Sequence, residues 1–300
     1  MELENWSLKV HIPVLLKETI EALDPKPNEN FIDCTFGWGG HSLAILERNA
    51  PNGLVLGIEW DGQSLAALPQ EVQKNPRLMI ENDSYVNIAA IAEKRNFGKI
   101  SGILFDLGMS SWHVDESKKG FSFSKDEPLD MRYAKDTPLT AERIINDYPA
   151  AKLEILFENY GQERRAAKIA KAIEKARMAK RIDSTAALAR IVEAAAGRSY
   201  ARPALARIFQ ALRIEVNAEF ENISRGIDDG FEIMAGGGRM AAITFHSLED
   251  GIVKRKFREL VKLGKAKLLF AKPIVPGEEE VQKNPRSRSA KLRAIEKIIK

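Results

Sequence analysis

From residue 31 to 106 the chain alternates short apolar, β-branched runs with stretches of helix length: FIDCTF at 31–36, GLVLGIE at 53–59, RLMIE at 77–81 and ISGILFD at 100–106. The segments between them begin at His41, Gln63 and Tyr85 and have amphipathic spacing, which argues for parallel βαβ units. A fifth run of the same kind, GRMAAITF at 238–245, follows only after a long gap, so the sheet is interrupted. Within that gap, residues 139–235 hold no convincing strand. They hold helical patterns at Ala150–Tyr160, Arg164–Ala179, Ser184–Ala196 and Ala204–Ile223, with Ser184 placed to act as an N-cap. The pattern predicts an α/β domain from residues 1–114 and 211–300, carrying an all-helical insertion at 115–210. Two further short strands are predicted near the C-terminal end, LLFAKPI at 268–274 and KLRAIEKII at 291–299.

Composition changes this picture little. At 300 residues, 44% hydrophobic and 29% charged, the chain is long enough for a domain with an insertion and ordinary enough to bury a core. No run approaches the roughly 18 apolar residues of a membrane helix, and Met1–Val14 lacks the pattern of a secretory leader, so a cytoplasmic protein with no membrane partner is expected. A single cysteine, Cys34, fits a reducing compartment and offers no metal cluster; no metal is expected. The net charge of +4 is unevenly placed: residues 251–300 carry 15 Lys/Arg against 5 Asp/Glu. Such asymmetry suits an acidic polymer as partner, and it equally suits a solvated lysine-rich face.

The first strand runs into FGWGGHS, with Gly37, Gly39 and Gly40 directly before a helix. Glycines there let a ligand approach the backbone, and the helix N-terminus offers unpaired N–H groups. A dinucleotide fingerprint would read G-x-G-x-x-G, but Ser42 stands at its sixth position, which weakens a nicotinamide reading. Glu59 ends the second run about twenty residues on, where a carboxylate accepts from ribose hydroxyls. Asp83 and Tyr85 after the third run would flank an adenine, and Asp106 ends the fourth. Ligands of open parallel sheets bind at the carboxyl ends of the strands, so these residues are expected to converge there.

Seven segments in order and register then carry a resemblance over nearly the whole chain. They are HIPVLLKETIEAL from His11, FIDCTFGWGGHS from Phe31, GILFDLGMSS from Gly102, GFSFSKDEPLDMR from Gly120, FQALRIEVNAE from Phe209, FHSLEDGIVKRKF from Phe245 and NPRSRSAKLR from Asn284. Together they resemble the MraW/RsmH family of bacterial 16S rRNA cytosine-N4 methyltransferases. The resemblance implies a class I S-adenosylmethionine-dependent methyltransferase: a Rossmann-like, mostly parallel sheet with an inserted helical, substrate-recognising domain. It implies S-adenosyl-L-methionine as cofactor, held by Gly39, Gly40, His41, Glu59, Tyr85, Asp106 and His113. Glu59, Tyr85 and His113 stand where such proteins more often carry aspartate, phenylalanine and glutamine. The implied substrate is a decoding-region cytosine of small-subunit ribosomal RNA, free or in the assembled subunit.

For catalysis the sequence nominates Asp106, as acceptor for the cytosine amine, and His246 in FHSLED after the fifth strand, toward the base or a phosphate. The D/N-P-P-Y/W signature of related amino-methyltransferases is absent; DLGMSS takes its place. A stacked base cannot present its amine, so the target must be extruded or single-stranded. The loop bearing Phe121, Phe123, Asp130 and Arg132 is expected either to close over it or to act as an apolar clamp. Phosphate contacts are expected from Lys254, Arg255, Lys256 and Arg258, from Arg286, Arg288, Lys291 and Arg293, and from Arg164, Arg165, Lys168, Lys171, Lys175 and Arg177 in the insertion. A same-fold methyltransferase with another substrate, a nicotinamide oxidoreductase, and a catalytically idle RNA-binding assembly factor stay open as alternatives. So does a homodimer.

Overall fold

Strands covered by helices on both faces read as near-continuous apolar runs, and the inner runs at 31–36, 53–59, 100–106 and 238–245 are of that kind. The structure, a computed structural model, describes residues 13–299. It falls into two compact units, one from the described residues of Met1–Gly108 and Phe220–Lys300, the other Met109–Glu219.

The first unit is a seven-stranded sheet: β1 (Asn30–Asp33), β2 (Val55–Glu59), β3 (Leu78–Asn82), β4 (Ile100–Asp106), β5 (Arg239–Thr244), β6 (Ala266–Leu268) and β7 (Lys291–Lys297). Their spatial order is β3-β2-β1-β4-β5-β7-β6, with β7 antiparallel to both neighbours and β1 to β5 parallel. Successive side chains enter opposite cores. Ile32, Leu56, Ile103, Phe105 and Met240 join the core under helices Ile88–Lys94, Glu219–Ile233 and Ser247–Lys262. Phe31, Val55, Leu104, Ala241 and Ile243 join the core under Leu16–Leu23 and Gly40–Arg48. Strand parity therefore decides what the polar residues face. Asp33 is in register with Leu104, and Asp106 with Ile243, which puts both carboxylates on the face covered by helix Gly40–Arg48. The order turns back between β1 and β4, and ligands of such sheets bind at that switch point.

The second unit packs helices Ala141–Asp147, Ala150–Asn159, Ala166–Ala179, Thr185–Ala196 and Ala201–Asn217 around Ile144, Phe157, Ile169, Leu188 and Leu212. Ser184 caps Thr185–Ala196, its side chain accepting from Ala187 N. The long loop before these helices holds its path through specific polar contacts. Arg132 forks onto the Asp130 carboxylate (Nε 2.9 Å, Nη2 2.8 Å) and donates to the carbonyls of Lys135 and Thr137. Asn217 accepts from Tyr133 N at 2.9 Å and donates to Met131 O at 2.8 Å. Gly120 has φ +78°, and a Cβ there would lie 2.2 Å from Pro128 O, so no other residue fits that turn.

Two expectations are corrected. The apolar periodicity at Ala204–Ile223 is not one helix: the chain breaks at Ala218, φ +48°, between Ala201–Asn217 and Glu219–Ile233. The two compact units part at this break. LLFAKPI is not a strand either, because β6 ends at Leu268 and the rest of the run meets β7 only at the isolated Ile274–Leu292 bridge. Proline at 273 has no N–H for a ladder.

Candidate active site

The loop after β1 is shaped by what its glycines avoid. Gly39 caps helix Gly40–Arg48 at φ +80°, and a Cβ on it would sit 2.7 Å from the Phe36 ring. Glu59, at the end of β2, accepts from Gly37 N (2.9 Å) and Asp61 N (2.8 Å), so its carboxylate is locked onto the glycine loop itself. Tyr85 opens a short 3₁₀ turn after β3. Its ring meets Phe105 edge-on at 5.5 Å, and a Cβ at Gly226 would come within 2.6 Å of it, which fixes the aromatic face in place.

At the C-terminal ends of β1 and β4 lies a small buried polar cluster. His41 is 5% exposed, and its Nε2 is 3.6 Å from Asp106 Oδ2, too long for a hydrogen bond. Among the described residues, neither ring nitrogen of His41 nor Asp106 Oδ1 has a hydrogen-bond partner, though all three atoms are buried. Buried polar side-chain atoms in native proteins are overwhelmingly paired, so an orphaned donor–acceptor group at a switch point marks a ligand position. Behind it, Asp33 accepts from Ser42 Oγ at 2.7 Å and from Thr35 N at 3.2 Å, while Thr35 Oγ1 accepts from Asp106 N at 2.6 Å. Burial holds the Asp33 carboxyl above its ordinary range, against the pull of Ser42, His41 and the Thr35 amide; Asp106 adds to the rise. Asp33 thus keeps its proton to higher pH than a free aspartate.

Asp33, Thr35 and Ser42 were not nominated from sequence. The available signal was an acid inside an apolar run, since a buried strand carries a carboxyl only where something satisfies it. Cys34 follows it into the opposite core. Burial, with Asp33 adding to it, drives its thiol well above the usual range. We expect native protein to resist alkylation by iodoacetamide at pH 8 and to react stoichiometrically once denatured; rapid native labelling would contradict this burial.

The two other nominated histidines have local partners. His246 caps helix Ser247–Lys262, Nδ1 accepting from Glu249 N at 3.3 Å, and its Nε2 lies 3.0 Å from Glu249 Oε1. His113 belongs to the second unit, 5% exposed, with Nδ1 2.8 Å from Ser110 Oγ and its ring packed against Trp112, Phe121 and Tyr133 at 4.8–5.4 Å. Phe121 stacks on Tyr133, so the loop residues named from sequence are engaged within their own unit. The Asp130 carboxyl lies below its ordinary range: burial raises it, but the Arg132 hydrogen bonds and charge outweigh that. His11 lies outside the described residues.

The basic residues divide in the same way. Lys256 is paired with Asp228, Lys291 and Arg293 with Asp250, and Arg177 donates to the carbonyls of Ile145 and Tyr148. Lys168, Lys171 and Lys175 line the exposed side of helix Ala166–Ala179, opposite the buried Ile169 and Ile173.

A model of the MraW methylase family matches residues 9–298. The chain belongs to that family. Relatives named "Ribosomal RNA small subunit methyltransferase H" include one from Halothermothrix orenii, 40% identical and aligned over 96% of this chain and 99% of its own. Another, from Desulfotalea psychrophila, is 42% identical over 97% of this chain and 99% of its own. Among solved structures, an rRNA methylase from Streptococcus thermophilus is similar at 11% identity and a TM-score of 0.44, covering 97% of this chain and 100% of that one. This MraW methylase carries β7 between β5 and β6, and the glycine loop, Glu59, Tyr85 and Asp106 lie along the carboxyl ends of its parallel strands. No helix among its described residues is long and apolar enough to cross a membrane.

Proposed function

We propose that this methylase transfers the methyl group of S-adenosylmethionine to the N4 amine of a decoding-region cytosine in small-subunit ribosomal RNA. The observation that carries the reading is the orphaned cluster of His41 and Asp106 at the β1–β4 switch point. Family membership and the names of the relatives support the reaction and the class of RNA.

The residues fit the cofactor. His41 and Asp106 offer buried, unsatisfied polar atoms to its amino-acid end, Glu59 a carboxylate for the ribose, and Tyr85 an aromatic face for the adenine. Gly39 and Gly40 bring the backbone and a helix N-terminus close to it. When bound, the group supplies an electrophilic methyl on a sulfonium. His246 caps a helix through Nδ1, but its Nε2 is likewise buried without a hydrogen-bond partner among the described residues, so it stays a candidate toward the base or a phosphate; His113, enclosed by aromatic rings of the second unit, has no part in this assignment.

A cytosine amine is a poor nucleophile because its lone pair is shared with the ring. Asp106 answers that as an acceptor: a carboxylate aimed at the amine orients it and stabilises the charge that grows on nitrogen. The backbone bond from Asp106 N to Thr35 Oγ1, and the Asp33 bond to Thr35 N, hold that carboxylate in place. In this reading the helical unit contributes substrate contacts through Lys168, Lys171 and Lys175.

The test is transfer of labelled methyl to small ribosomal subunits that lack the modification, followed by nucleoside analysis. N4-methylated cytidine is expected. Transfer to another nucleoside, or none despite cofactor binding, would overturn the proposal.

A further inference from the structure

Helix Ser247–Lys262 buries Val253, Phe257 and Leu260 against the sheet, and its period sets Lys254 and Arg258, four residues apart, along one side. That side borders a shallow, solvent-open depression lined by Lys254, Phe257, Arg258, Leu268, Phe270 and Arg293. Its place in the fold is the β5-β7-β6 edge, away from β1, β2 and β4, which carry the glycine loop, Glu59 and Asp106.

The charges around it are unequal. Arg293 is bound in a fork to Asp250 (2.7 and 3.1 Å), and Lys256 is paired with Asp228. Lys254 and Arg258 have no carboxylate partner among the described residues. Two uncompensated cations thus stand over a concavity whose remaining walls are apolar, with Leu268 39% exposed and the Phe270 ring only partly buried. A purely solvated lysine face has no reason to enclose an aromatic surface. A nucleotide satisfies both features, with its phosphate on the cations and its base on the ring.

We infer that this depression is a second RNA contact, holding one stretch of phosphodiester with Lys254 and Arg258 and an unpaired base against Phe270. The inference rests on the proposed function and adds a site outside the cofactor crevice.

The full chain is tested with a fluorescein-labelled single-stranded RNA and with unmodified small subunits. Lys254→Ala/Arg258→Ala is expected to weaken RNA binding and flatten the slope of log K against log salt by about 1.4, at about 0.7 per lost phosphate contact. Phe270→Leu, which preserves most of the apolar volume, is expected to weaken binding about tenfold with the slope unchanged. Both should raise KM for subunits and leave cofactor affinity and kcat alone. Unaltered RNA affinity and slope in all variants, while the parent protein methylates subunits, would overturn this site and leave the proposed function standing. Weakened subunit binding with unchanged affinity for the RNA probe would assign the depression to an acidic protein and also overturn it. Failure of the parent protein to methylate RNA would instead strike the proposed function.

Discussion

Asp106→Asn is expected to lower the turnover of methyl transfer by about 10²- to 10⁴-fold, the range that one positioned acid–base group contributes. The substitution is nearly isosteric, and the contact that fixes this residue runs through its backbone N–H to Thr35 Oγ1, which asparagine keeps. What changes is chemical: an amide presents one acceptor and a pair of donors where the carboxylate presents acceptors only. An N–H aimed at a cytosine amine repels it. Single-turnover rates at saturating cofactor isolate this effect from binding, and a melting temperature within about 2 °C of the parent's excludes a folding defect. Turnover within threefold of the parent's would remove the Asp106 side chain from the mechanism and pass the acceptor role to the backbone near Leu107. A selective loss of cofactor affinity would make it a binding residue only.

Arg213→Ala should destabilise the helical unit by about 3–5 kcal/mol, because it leaves Glu219 buried with its charge uncompensated. Arg213 is 9% exposed and Glu219 7%, and they meet in a two-pronged pair at 2.8 and 3.0 Å, with Tyr133 OH 3.2 Å from the same carboxylate. Scanning calorimetry should resolve the second unit melting on the order of 10 °C earlier. Removing both charges together, as Arg213→Met/Glu219→Gln, should recover more than half of the loss, since no orphaned ion remains. A loss below 1 kcal/mol in the single variant would mean that water reaches Glu219.

The parallel core was legible because its strands are apolar on both faces. ISGILFD gives β4 residue for residue, and KLRAIEKII gives β7 to within two residues. The position of β7 between β5 and β6 was not legible, since periodicity reports burial and not the neighbour across a ladder. Ala218 escaped notice for a similar reason. A left-handed residue is usually announced by glycine or asparagine, and an alanine in that conformation leaves the apolar spacing of the two helices unbroken on paper. At the site, the glycine loop, Glu59 and Asp106 were marked by residue type at a strand end. That His246 caps a helix was not legible, because a ring nitrogen that caps a helix and one that meets a substrate share the same position after a strand. Lys254 and Arg258 could not be told from Lys256 or Arg293 until their carboxylate neighbours were located.

The interrupted sheet also has a temporal side. The helical unit is one continuous stretch, whereas β4 must await a partner, β5, encoded more than a hundred residues downstream. At a synthesis rate of 5–20 residues per second, the β4 edge that β5 later pairs stands open for on the order of ten seconds in a nascent chain. An insertion that can collapse on its own as soon as it emerges shortens the tether across which β5 must be found, and takes its own apolar residues out of competition for that open edge.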